Sequence, residues 1–488
     1  MTSMETTTPR QHPNPERFAR LRADEYAYLD EQGQTYLDYT GAGLPARSQL
    51  AAHWARITGS CYGNPHSDSP TSTAATELVE RTRARVLEHL NADPAEYAAI
   101  FTANATGACR LVGEAFPFRR GGRLVLPLDN HNSVNGLREF AGAGRSRIVY
   151  VPFDTPDLRI SDEAVAVALA GRRARGAAVA GGPGRPRRLA GLLAYPAQSN
   201  FTGVRHPLEW IDLAHAHGYA VLLDAAAYLP TQRLDLSAVK PDFVTVSWYK
   251  VFGYPTGVGC LVARRDSLAL LRRPWFSGGT IHVVSAQGGW HRMAEDETAF
   301  EDGTLNFLAI PDVEAGLEHI DSVGLPAISA HVTWLTARLL DGLRALRHAN
   351  GAPLVRVYGP EDTERRGGTV ALNVLDPEGL VVDERAVGRD SAARGISLRT
   401  GCFCNPGAGE EAFAISRRLL RGQVGRMSGT LDDYLARLGM PSGGAVRVSL
   451  GIASSPGDLD AFLRFIEDAY RDHPAGEAAV RLQPRLRC

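Results

Sequence analysis

The segment SWYKVFGYPTGVG, Ser247 to Gly259, sets a single lysine between an apolar run of strand type, Phe243–Ser247, and a turn rich in glycine and proline. A lysine in a partly desolvated pocket loses proton affinity and can condense with a carbonyl to form a Schiff base. Asp224 lies 26 residues upstream of Lys250, at the end of the apolar run Tyr219–Leu223. Open α/β sheets bind ligands at the carboxyl ends of their strands. A carboxylate buried there needs a cationic partner, and a protonated pyridine nitrogen is one. Aspartate and lysine one strand–helix–strand step apart are how an enzyme holds pyridoxal 5′-phosphate (PLP). Taken singly, Lys250 also reads as a surface lysine and Asp224 as a helix N-cap.

Outward from this pair, short strand-type runs recur at Arg123–Pro127, Arg147–Phe153, Leu192–Pro196 and Ala220–Leu223. Helical patterns lie among them and before them. Thr73–Leu90 repeats Leu78, Val79, Val86, Leu87 and Leu90 at helical spacing, and Leu208–His217 stops at Gly218. Apolar strands joined by helices predict a mostly parallel sheet covered on both faces. After Ile310 the pattern changes: a helical region from Asp312 to about His348, strands near Thr369–Val374 and Val446–Leu450, and a last helix opened by Ser455, Pro456 and Asp458. The reading is therefore α/β, with a large domain over residues 16–310 and a smaller α+β C-terminal domain over 311–473. Residues 1–15 and 474–488 read as tails. Gly171–Arg188, rich in Arg, Gly and Pro, reads as a solvated insertion or a basic contact loop.

Composition narrows the function. The 488 residues carry 53 basic and 54 acidic side chains, net charge −1, which argues against a nucleic-acid protein acting through bulk charge. No apolar run approaches the roughly 20 residues of a membrane span. The polar start MTSMETTTPRQHPNP has no signal-peptide core. Six cysteines are too sparse for a disulfide framework, so reduced thiols in the cytoplasm are expected. Cys402 and Cys404 lack a second Cys/His pair at ligand spacing, so no metal is expected. TANATGA, Thr102–Ala108, joins small residues to a helix start near Thr106, whose free N–H groups suit a phosphate.

The motifs YLDYTGAG (Tyr36–Gly43), TANATGA, DNHNSVNG (Asp129–Gly136), PAQSNFTG (Pro196–Gly203), LDAAAYLPTQRLDLS (Leu223–Ser237), SWYKVFGYPTGVG, FEDGTLN (Phe300–Asn306), RTGCFCNPGA (Arg399–Ala408) and AVRVSLG (Ala445–Gly451) follow one another in this order. In this the chain resembles the class V, fold-type I PLP enzymes of the cysteine desulfurase group, and more narrowly the NifS-like domain of molybdenum cofactor sulfurases. The resemblance runs from about residue 36 to 470. It implies the fold-type I architecture with a seven-stranded, mostly parallel large-domain sheet. It further implies that Lys250 carries PLP, Asp224 meets the pyridine nitrogen, His131 stacks on the ring, and Asn200 with Gln198 reaches the phenolic oxygen. Thr106, the neighbouring Ala105 amide and Ser247 would hold the phosphate. Tyr249, beside Lys250, stands where many desulfurases have histidine. Thr304 would reach the phosphate of a partner subunit in a homodimer, and Arg447 would clamp the substrate carboxylate.

By the same resemblance Cys404 accepts sulfur. L-Cysteine, or a cysteine derivative, loses its sulfur to the Cys404 thiolate; alanine leaves, and a persulfide remains for an acceptor protein. The Gly- and Pro-containing loop Gly401–Gly409 is expected to move that sulfur, and Arg399 to lower the thiol's pKa. Cys402 is a bystander or a resolving thiol. The chain departs from the family at Gly409, where a third cysteine is usual, and at Ala227, where other desulfurases often have glutamine. The eukaryotic sulfurases continue into a C-terminal cofactor-binding domain, which the tail after about residue 474 is too short to supply. Two alternatives stand beside desulfuration: a β-lyase that cleaves cysteine S-conjugates to pyruvate, ammonia and a thiol, and a non-catalytic sulfur-relay or scaffold subunit.

Overall fold

Long runs of Val, Leu, Ile and Ala that bury both faces form the centre of the molecule. A computed structural model describes residues 14–65, 67–154, 156–171, 189–415 and 443–478, together with 418, 420 and 433. The extreme N-terminal tail, nearly all of the Gly171–Arg188 insertion and the end of the basic tail lie outside the described residues.

The large sheet has seven strands: β1 (Tyr97–Thr102), β2 (Arg123–Pro127), β3 (Arg147–Val151), β4 (Gly191–Pro196), β5 (Tyr219–Asp224), β6 (Phe243–Ser247) and β7 (Gly259–Arg264), in the order β1-β7-β6-β5-β4-β2-β3. Strands β2 to β6 pair in parallel, whereas β7 runs antiparallel to both β1 and β6. β4, β5 and β6 are buried at every position, which is why they read as unbroken apolar runs rather than alternating ones. The carboxyl ends of the parallel strands share one edge, where Asp224 and Ser247 are the last residues of neighbouring strands.

Local signals set the helix bounds. Helix α1 (Pro70–His89) starts behind the Ser69 cap, and α2 (Ala105–Ala115) behind Asn104. Helix α3 (Trp248–Phe252) is a short turn that carries Lys250 and stops at Gly253, whose φ of +80° suits glycine. A Cβ on Gly253 would come within 2.3 Å of the Leu44 carbonyl carbon, so the N-terminal TGAG stretch seats directly on the lysine turn. The single helical region expected from Asp312 to His348 is two helices, α4 (Asp312–Val323) and α5 (Leu325–Ala345), because Gly324 at φ +81° breaks it.

The smaller domain is an antiparallel sheet of β8 (Val355–Tyr358), β9 (Thr369–Val374), β10 (Arg399–Gly401) and β11 (Ala445–Ser449), in the order β8-β9-β11-β10. Helix α6 (Pro406–Ala412) follows β10, and α7 (Pro456–Tyr470) opens with the Ser455–Asp458 capping box. The N-terminal segment, grouped above with the large domain, packs on this part. Thr35–Tyr36 pairs in parallel with Ile396–Ser397, Phe18 stacks on His331 at 3.8 Å between ring centroids, and Arg22 bonds Asp458 at 2.6 Å.

One buried ion pair fixes the FEDGTLN segment against β1. Arg83 donates to Glu301 at 2.8 Å, Glu301 also accepts from the Phe101 amide at 2.7 Å, and both side chains are buried. Removing one partner of such a pair strands a charge out of water. Glu301→Ala should destabilise the protein by about 3–5 kcal/mol, read as a lower urea midpoint; an unchanged midpoint would refute the assignment.

Candidate active site

At the carboxyl edge of the parallel strands lies a cavity of about 130 Å³. Asp224, Ser247, Tyr249 and Lys250 line it from β5, β6 and α3; Ala105 and Thr106 from the start of α2; His131 from the turn after β2; and Gln198 and Asn200 from the turn after β4. Nine residues named from the sequence as cofactor contacts are therefore gathered in one place. Their distant positions converge because each sits just past the end of a strand or at the first turn of a helix.

Asp224 is 8% exposed. Its Oδ1 accepts from the Ala226 amide at 3.0 Å and the Thr245 hydroxyl at 3.3 Å, while Oδ2 receives no hydrogen bond among the described residues. Lys250 is one of two lysines in the chain, with Lys240. Burial lowers its pKa below the ordinary lysine value, and the nearby Arg447 and Arg399 charges act the same way, against the pull of Asp224. A half-satisfied buried carboxylate and an amine biased toward its neutral form thus share one cavity.

The other end of the cavity suits an anion. The Asn104 side chain caps α2 by accepting from the Gly107 amide at 3.0 Å, and the Ala105 amide donates to Ser247 Oγ at 2.9 Å. Thr106 Oγ1 meets Ser133 Oγ at 2.7 Å, which in turn meets His131 Nδ1 at 2.9 Å. The Ser133 amide donates to the same Nδ1 at 3.1 Å, which assigns the ring proton to Nε2. Burial, with the Lys250 charge second, pushes His131 down to about 4, so its imidazole is neutral at physiological pH.

Three residues named from the sequence do not line the cavity. Thr304 is exposed and lines a separate cleft of about 370 Å³ with Gly107, Arg110 and Asp302. Arg447, on β11, is 3% exposed; it donates to Asp38 at 2.8 Å and to the Asn200 carbonyl at 3.1 Å, and stacks over Phe403 at 4.9 Å. Cys404 is an exposed free thiol on the loop between β10 and α6. That loop is fastened to the cavity wall: Asn132 N–H donates to the Cys404 carbonyl at 2.7 Å, and Asn200 Nδ2 to the Phe403 carbonyl at 2.7 Å. Asn200, expected at a phenolic oxygen, thus gives one of its two amide hydrogens to the thiol's loop. Gln198 donates to the Ala227 carbonyl at 2.8 Å and keeps a buried Oε1 without a partner.

Asp38 is a site residue that the sequence reading missed. It bridges Arg447 and Arg399, the latter at 2.6 Å, so Arg399 turns to Asp38. The signal was its place in YLDYTGAG, but its partners lie more than 360 positions away. Cys402 is disulfide-bonded, contrary to the expected reduced thiols. Among the described residues no cluster of three or more His, Cys, Asp or Glu could hold a metal.

A lowered pKa gives Lys250 a larger neutral fraction than an ordinary lysine at the same pH. In protein stripped of any carbonyl ligand, reductive methylation near neutral pH should modify Lys250 ahead of Lys240, scored by peptide mass. Faster modification of Lys240 would overturn this electrostatic picture.

The chain is 36% identical to the molybdenum cofactor sulfurase of Homo sapiens over 96% of its own length and 53% of that protein. It is 34% identical to the molybdenum cofactor sulfurase of Arabidopsis thaliana over 94% of its length and 59% of that protein. It thus spans a little over half the length of these curated relatives. Its fold is shared with a cysteine desulfurase of Thermococcus onnurineus NA1 (TM-score 0.74, 22% identity, covering 96% of this chain and 99% of that one). It is shared likewise with the cysteine desulfurase CsdA of Escherichia coli (TM-score 0.70, 21% identity, covering 93% and 98%). With residues 187–462, more than half of its length, matching that family, the chain belongs to the aminotransferase class-V family.

Proposed function

We propose that this chain is a PLP-dependent cysteine desulfurase that takes sulfur from L-cysteine, releases alanine and carries the sulfur as a persulfide on Cys404 for transfer to an acceptor. The observation that carries the reading is the pairing of two unsatisfied groups in one cavity: the free Oδ2 of buried Asp224 and the deprotonation-prone amine of Lys250. A pyridine nitrogen and an aldehyde on one ring match them, and the hydroxyls and amides at the α2 N-terminus match a phosphate.

PLP, when bound, supplies an electron-poor ring that stabilises negative charge at the substrate Cα. The protein supplies the rest. Asp224 keeps the ring nitrogen protonated. Lys250, biased toward its neutral form, would serve as the base that takes the Cα proton. Neutral His131 offers its Nε2–H without adding a positive charge that would compete with Asp224. Arg447 keeps a buried Nε–H without a protein acceptor, and we assign the substrate carboxylate to that guanidinium. In the sulfur step the Cys404 thiolate attacks the substrate sulfur: an S–S bond forms, the Cβ–S bond breaks, and Cβ gains a proton to become the alanine methyl. No external oxidant or reductant is required.

The reading includes a homodimer, placed in the cytoplasm. The support for the homodimer is the exposed apolar set Trp275, Phe276, Val283, Val284 and Trp290, of which Trp275 lines the same cleft as Thr304. A second copy would cover these residues and bring its own phosphate end toward Thr304.

The test incubates PLP-loaded protein with L-cysteine and a mild reductant and quantifies alanine and pyruvate. Alanine should form, disappear in Cys404→Ser, and fall by about 10²–10⁴-fold in Lys250→Ala. Pyruvate that survives in Cys404→Ser would replace this reading with a β-lyase acting on cysteine conjugates. Failure of the protein to take up PLP would return it to a scaffold or relay role.

A further inference from the structure

We propose that Asp129, a fully buried carboxylate that lines neither the cavity nor the thiol, is a positioning residue for Cys404 and acts through Asn405. The proposal rests on the reading of Cys404 as the sulfur acceptor. Asp129 sits two residues past β2 with no exposed surface. Three side-chain donors converge on it: Ser199 Oγ at 2.8 Å and Asn405 Nδ2 at 2.7 Å on Oδ1, and His206 Nε2 at 3.0 Å on Oδ2. A carboxylate taken fully out of water persists only when paired in this way.

Asn405 transmits that hold to its neighbour. Its Nδ2 also donates to Asn200 Oδ1 at 3.0 Å, its Oδ1 caps α6 by accepting from the Ala408 amide at 3.3 Å, and its own amide donates to the Cys402 carbonyl at 3.0 Å. Phe403 and Cys404 both lie in the left-handed region, at φ +55° and +54°. Two successive non-glycine residues there are strained, and such strain lasts only where surrounding contacts over-determine the backbone. Those contacts are the Asn200 and Asn132 bonds to the Phe403 and Cys404 carbonyls and the Asp129–Asn405 pair behind them. Gly407, one of the glycines expected to lend the loop mobility, is instead packed in α6, where a Cβ would come within 2.2 Å of the Leu128 carbonyl oxygen. The loop is therefore fastened from beneath, and the backbone that carries the thiol is held against the cavity wall.

The substitution Asn405→Asp isolates this role. Aspartate caps a helix as well as asparagine does, so α6 keeps its start, but the donor facing Asp129 becomes a second carboxylate. Asp129→Asn combined with Asn405→Asp restores one donor–acceptor pair with the roles exchanged. In Asn405→Asp, kcat for alanine formation should fall about 10- to 100-fold, while KM for L-cysteine and PLP absorbance stay near wild type. Hydrogen exchange over residues 402–409 should quicken and the iodoacetamide alkylation rate of Cys404 should change. The double variant should regain most of kcat and of exchange protection. Unchanged kcat and exchange in Asn405→Asp, or a folded double variant no better than the single one, would overturn the proposal. If Asn405→Asp does not fold, Asn405→Ser, which keeps a cap for α6 and removes the amide donor without adding charge, is read the same way. If wild-type protein forms no Cys404-dependent alanine, the desulfurase reading fails, whereas exchange and alkylation still decide whether Asp129 fixes the loop.

Discussion

A lysine amine and an aspartate carboxylate are held out of bulk water at the edge of one sheet, and the protein satisfies neither completely. Burial disfavours the charged form of Lys250, with the attraction of Asp224 acting against it, while Asp224 Oδ1 accepts from the Ala226 amide and the Thr245 hydroxyl. Much of the surrounding architecture serves to keep this pair in place. β5 and β6 are buried along their whole length, so their ends have little freedom. Gly253 lets the lysine turn close against the N-terminal TGAG stretch. A site built on strand ends is stiff enough to hold two reluctant groups at one cavity, and that residual dissatisfaction is what a cationic ring carrying an aldehyde relieves.

Around this pair the cavity is lined by the hydroxyls of Ser247, Thr106 and Ser133 at the α2 N-terminus and by neutral His131. Outside that lining, Arg447 stands against the Asn200 carbonyl, with Asp38 shared between it and Arg399. Asp38 brings the N-terminal segment, the small-domain sheet and the loop after β4 into one network, so the site depends on the contact between the two domains. The same contact carries Cys404, whose loop starts from the small domain yet is bonded at Asn132, Asn200 and Asp129 of the large one.

The fold was legible where the signal is local. Five of the seven strands of the large sheet were read as short strand-type runs, and the Ser455 cap and the Gly218 stop mark helix ends locally, whereas the helix read from Thr73 begins at Pro70 behind Ser69. β1 and β7 were not read as strands, and GCLVAR continues directly from the glycine-rich turn that drew attention to Lys250. The division of the long helical region at Gly324 was missed for a related reason: its apolar spacing runs on through α4 and α5, and a single glycine does not by itself end a helix. Of the site, Lys250, Asp224 and Thr106 were readable because strand ends and helix starts have sequence signatures, whereas Ser247 came only from the family resemblance.

What the sequence determined by itself is therefore the position of chemistry-bearing residues along the secondary structure: a lysine one turn past β6, an aspartate closing β5, small residues opening α2 and a thiol in a short loop. Only the tertiary structure decided how those groups are engaged. It assigned the Asn200 amide to the Phe403 carbonyl, Arg447 to Asp38 across 409 positions, and Asn405 to Asp129 across 276. The physical reason is that periodicity and capping report interactions within a few residues, while a buried hydrogen bond between distant side chains is set by which strand ends and loops meet at one edge.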